Sequence, residues 1–122
     1  MIRGIVNEND EPLVPITLIA GKKRKRYEAV LDTGFNGYLS VPQWIADQSQ
    51  WYFAGHEEYE IATGDVVRER VYLGAVIFDG EPFTTHIVTS HAQDILIGTK
   101  LLADKKLRID FKKKTLWLTK TL

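Results

Sequence analysis

Short runs rich in Val, Ile, Leu, Thr, Tyr and Phe recur along the whole chain, each broken after a few residues by Gly, Asn, Asp or Pro. That rhythm is the signature of many short strands joined by turns, and it predicts an all-β barrel or sandwich. Strands are expected over residues 3–6, 13–20, 26–31, 38–41, 57–62, 66–78, 83–89, 95–97, 107–111 and 115–119. Two short helices fit between them. Pro42 suits the first turn of a helix over 43–48, and Thr99 could cap another over 100–104. Neither is long enough to form a core alone.

At 122 residues the chain has the size of one domain, here taken as 1–122, and it shows no low-complexity stretch or change of composition that would mark a linker. Sixteen basic residues balance sixteen acidic ones, so net charge favours neither nucleic acid nor an anionic membrane. The absence of cysteine excludes disulfides and thiol chemistry. Residues 1–11 are mixed and charged, without the apolar stretch of a signal or a membrane span, so a cytoplasmic location is expected.

The chemistry to look for lies at Asp32, Thr33 and Gly34, where a carboxylate stands in a tight turn directly after the apolar run Ala29, Val30, Leu31. A carboxylate at the end of a buried strand is costly unless a partner or a reaction uses it. The same residues also make an ordinary turn, so context decides. The turn continues through Phe35, Asn36 and Gly37, and two glycines in four residues let the backbone pass close to itself or to an extended ligand. A partial echo of the run occurs at Ile95, Leu96, Ile97, Gly98. A second turn of small residues, Ala62, Thr63, Gly64, Asp65, joins two β-patterned runs and could form a projecting, mobile hairpin or a plain one.

Other candidates are weaker. His56, His86 and His91 do not have metal-ligand spacing, and Ser40, Ser49 and Ser90 lack the setting of a nucleophile, so no metal or other cofactor is expected. The run Lys22 to Arg26 could be a nucleic-acid patch, but its place between two strand-like runs favours a solvated hairpin tip whose charge discourages edge pairing.

Taken in order, these residues resemble the single-domain, retroviral-type (retropepsin-like) aspartic proteases, and in particular their bacterial relatives. The resemblance runs from about Leu13 to Leu118: the strand into Val30 to Gly34, the strand end at Leu39 to Pro42, a flap-like hairpin at Ala62 to Asp65, Val71 to Gly74, a hairpin at Asp79 and Gly80, the element Ile95 to Gly98, and Leu107 to Phe111. It implies a closed retropepsin-like β barrel with Asp32 on the floor of a cleft. It also implies one catalytic aspartate per chain, hence a homodimer in which two copies of Asp32 hydrolyse a peptide or protein substrate. Thr33 would lock the pair, Gly34 would let backbone approach the substrate, and Ala62, Thr63, Gly64 and Asp65 would bind it from above. The chain departs from the viral pattern at Phe35, Asn36, Gly37 and at Thr99, Lys100, where an acidic residue and an arginine usually form an ion-pair network, and this implies a different interface. The rival expectations are a catalytically silent peptide-binding or scaffold module of the same fold, and nucleic-acid binding through the basic run.

Overall fold

The computed structural model describes residues 1–121. Ten strands and one helix follow in order: β1 (Ile2–Val6), β2 (Pro12–Ala20), β3 (Lys23–Leu31), β4 (Leu39–Pro42), α1 (Gln43–Ser49), β5 (Tyr52–Glu60), β6 (Val66–Phe78), β7 (Glu81–Ser90), β8 (Leu96–Ile97), β9 (Lys105–Asp110) and β10 (Thr115–Lys120). The chain is all-β apart from α1, as the hydrophobic pattern predicts.

Hydrogen-bonded neighbours run β5-β6-β7-β4-β8-β3-β2-β1-β10-β9, and β6 also pairs with β2. The extra pairing, Thr17↔Ile77 to Ile19↔Ala75, joins two strands far apart in that order and closes β6, β7, β4, β8, β3 and β2 into a six-stranded barrel. Inward positions alternate as the pleat requires: Val14, Ile16 and Leu18 on β2, Ala29 and Leu31 on β3, Val76 and Phe78 on β6. With Leu39, Val41, Ile87 and Ile97 they form the core, and Leu116 and Leu118 of β10 join it.

The α1 segment caps one end of the barrel, with Ile45, Ala46 and Ser49 buried. The Thr89 hydroxyl donates to Gln43 Oε1 of the helix at 2.6 Å, and just beyond its end Trp51 Nε1–H donates to the Ile19 carbonyl at 2.8 Å. No helix among the described residues is long and apolar enough to cross a membrane.

Two local expectations need correction. Residues 100–104 do not form a helix. The N–H groups of Leu101, Leu102 and Lys105 donate to Gly98, Thr99 and Leu102, each spanning three residues, so the segment is a series of turns. The Thr99 and Lys100 amides donate to the carbonyls of Phe35 and Gly37, which ties the start of the segment to the Asp32 turn, and the stretch is too short to sustain a helix by itself. The basic run is a hairpin tip only at Lys22. The chain turns at Gly21 and Lys22, and pairing with β2 resumes at Lys23↔Ala20, so Lys23 to Arg26 belong to β3.

Candidate active site

The Asp32 turn begins where β3 leaves the barrel. Leu31 is buried against Ile97, its parallel partner on β8, and the next residue emerges half-buried. The Asp32 amide still belongs to the ladder and donates to the Ile97 carbonyl at 3.0 Å. The Asp32 carbonyl accepts from Phe35 N–H at 3.1 Å, and the carboxylate Oδ1 accepts from Gly34 N–H at 2.9 Å. Asp32 thus holds its own turn at both ends, and the carboxylate faces out with Thr33 and Gly34 exposed beside it. A Cβ at residue 34 would stand 3.2 Å from Oδ1, so glycine is what lets this amide reach the carboxylate closely.

The apolar-glycine echo proves to be the other half of the same construction. Val30↔Leu96 and Leu31↔Ile97 lie side by side in parallel, and β8 is itself clasped between β3 and β4. Beyond Ile97 the chain is laced to the Asp32 turn by three backbone bonds: Gly98 N–H to Tyr38 O at 3.0 Å, Thr99 N–H to Phe35 O at 2.9 Å and Lys100 N–H to Gly37 O at 3.1 Å. A Cβ on Gly98 would overlap the Gly37 carbonyl. The two segments that depart from the viral pattern therefore meet through main chain rather than through an ion pair.

Ala62, Thr63, Gly64 and Asp65 form the tip of the β5–β6 hairpin. The tip is exposed and closed on itself: Ile61 N–H donates to Asp65 O at 2.9 Å, Gly64 N–H to Ile61 O at 2.9 Å, and the Thr63 hydroxyl to Asp65 Oδ2 at 3.0 Å. Side chains brace the stem. The Tyr59 hydroxyl donates to Glu69 Oε1 at 2.6 Å. That bond first, then burial and the charges of Glu69 and Glu57, push the phenol up to about 12. The hairpin leaves the barrel at a β-bulge between Phe53 and Gly55, where Gly55 takes φ 125, a conformation other residues rarely adopt.

Between the Asp32 turn and this hairpin lies a cavity of about 450 Å³. Its walls include Phe35 and Tyr38 from the turn, His56 and Glu57 from the hairpin stem, His86 from β7 and Lys100. Neither Asp32 nor the hairpin tip lines it. Tyr38 and His86 stack with centroids 5.9 Å apart, and the Lys100 ammonium lies 5.4 Å from the Tyr38 ring centre. Tyr38, His86 and Lys100 lie in three different segments, and no spacing in the sequence groups them. His56 and His86 are exposed, and both line this cavity. Among the described residues no group of His, Asp and Glu is arranged to hold a metal ion.

This barrel, with its parallel β3–β8 pair and projecting hairpin, defines a class by shape. Among solved structures it is similar to a retropepsin-like aspartic protease from Rickettsia conorii, with TM-score 0.66 and 17% identity over 95% of this chain and 87% of that one. It is also similar to the protease of simian foamy virus (mac), with TM-score 0.54 and 15% identity over 73% of this chain and 91% of that one. No family model and no curated protein matches the chain. The protein has the retropepsin-like fold.

Proposed function

We propose that the protein is an aspartic endopeptidase in which two copies each contribute Asp32 to one site. The observation that carries the reading is the setting of Asp32: a half-buried carboxylate at the end of a core strand, its backbone tied to Ile97 and one oxygen oriented by the Gly34 amide, beside a cleft under a projecting hairpin. An ordinary surface turn does not need to be anchored to a second, parallel strand. The retropepsin-like fold agrees with this reading.

One carboxylate is half of the required machinery. Two carboxyl groups a few ångströms apart cannot both ionise cheaply, so the pair holds one proton between them. The ionised group removes a proton from a water while its protonated partner donates to the peptide carbonyl, and the water attacks without a covalent intermediate. A twofold dimer supplies the second Asp32. Thr33, exposed at the mouth of the turn, would bond across the pair. The tip residues Ala62, Thr63, Gly64 and Asp65 would close over an extended peptide and bind its main chain. The test is peptide hydrolysis by the wild-type protein and by folded Asp32→Asn, with loss of turnover expected in the variant.

A further inference from the structure

The basic run, which the proteolytic reading leaves without a task, borders an open lane in the sheet. Val30 and Asp32 send their amides toward β8, to Ile95 and Ile97. Main-chain groups alternate sides along a strand, so those of Glu28, Arg26 and Arg24 point to the same side. No strand lies there. The β8 pairing covers only Val30 and Leu31, and Lys23 to Glu28 pair with β2 alone.

The far wall of this lane is also defined. On the other flank of β8, β4 runs back antiparallel through Leu39↔Ile97 and Ser40↔Leu96, and α1 continues directly from its end. A strand continuing the line of β8 would therefore lie between the bare edge of β3 and α1. A groove of about 360 Å³ adjoins that place, floored by Leu18 and Ala20 of β2 and walled by Lys23, Lys25 and Tyr27 of β3 and by Trp44, Gln48 and Trp51. Trp44 is 45% exposed, a large aromatic surface for a residue on a packed helix.

The charge of the lane selects its occupant. Lys22, Lys23, Arg24, Lys25 and Arg26 are all exposed, and among the described residues only Arg26 has a carboxylate within salt-bridge range, Glu28 at 3.8 Å. In a chain of zero net charge this is a local excess with nothing opposite it. Such lysines and arginines discourage pairing with a neutral edge, and the same charges reward an acidic one.

We propose that an extended, acidic segment of a partner protein docks in this lane, adding as a strand to Lys23–Glu28 of β3 with its glutamates or aspartates against the basic run and an apolar side chain on Trp44. Main-chain bonds supply the register and the charges supply the choice of partner. The inference does not depend on catalysis, because the lane and the Asp32 carboxylate are separate features.

The test is a binding titration of full-length Asp32→Asn with a labelled Glu- and Thr-rich peptide, the catalytic substitution preventing any cleavage of the probe. Saturable binding that quenches or shifts tryptophan fluorescence is expected. It should weaken by about tenfold or more in the double variant Arg24→Glu/Lys25→Glu and in Trp44→Ala, with circular dichroism confirming that both are folded. A probe N-methylated at alternate amides should lose binding, since it keeps its charge but cannot join the ladder. Three results would each overturn the proposal: no binding of the acidic peptide, equal binding of the N-methylated probe, or tighter binding of a single-stranded oligonucleotide.

Discussion

Gly98 crosses Gly37 so closely that a single added carbon on Gly98 would clash with the Gly37 carbonyl oxygen. This crossing ties the end of β8 to the turn that presents Asp32. A substitution here acts on the core and on the candidate site together.

Gly98→Ala should therefore be destabilising by about 1–3 kcal/mol, the usual cost of overpacking. Because the neighbour is backbone, no side chain can rotate away. Gly34→Ala is the contrast: its Cβ would meet only Asp32 Oδ1, at 3.2 Å, so stability should change little while turnover falls. Urea denaturation and peptidase assays on the two variants will separate the effects, and equal stabilities would count against the crossing.

Asp32→Asn should reduce peptide hydrolysis by about a thousandfold or more, since the general base is lost while size and turn geometry are kept. The amide oxygen can still accept from Gly34. Residual wild-type turnover in a folded Asn variant would remove Asp32 from the mechanism.

On the proposed mechanism each chain supplies one carboxylate of the pair, so specific activity should fall on dilution through the monomer–dimer transition. Sedimentation and rate measured over the same concentrations test this. A rate per chain that stays constant while the dimer dissociates would rule out a shared site.

Acid stability should depend on Asp79. Burial pushes its carboxyl up, but bonds from the Met1 ammonium at 3.0 Å and Lys105 Nζ at 3.3 Å, with their charges, outweigh burial and hold it below the usual range. A depressed carboxylate stabilises the fold above its unfolded value, and that contribution disappears as pH falls through its folded value. Asp79→Asn should thus be less stable than wild type near neutrality, and the two denaturation curves should converge in acid. Parallel curves at every pH would show that this ion pair contributes nothing.

Tyr59 should titrate late, at about 12, and Glu69→Gln should bring its absorbance change to lower pH by removing the carboxylate that accepts its proton. The same substitution loosens the hairpin stem, so KM for peptide should rise while kcat changes less. An unchanged ultraviolet titration would show that the stem contact does not persist in solution.

Much of this was legible because it is local. An apolar run ending in Asp-Thr-Gly, the uninterrupted pattern of 66–78, and Pro42 ahead of a short amphipathic stretch each depend on neighbours in sequence, and the turn, β6 and α1 all lie where those residues predict. The order of such pieces was enough for the retropepsin-like barrel.

What the tertiary structure decided are the meetings between distant segments, which no residue announces alone. The closing pair β2–β6 joins Thr17 to Ile77, and the parallel contact of Val30 with Leu96 turns a weak echo into an anchor for Asp32. The same packing draws the Thr99 and Lys100 amides to the turn, and residues 100–104 follow as a series of turns. It also collected Tyr38, His56, His86 and Lys100 around one cavity and left the edge of β3 bare beside Trp44. Turn and strand propensity act over a few residues, whereas closure depends on which edges remain to be paired once every local element has formed.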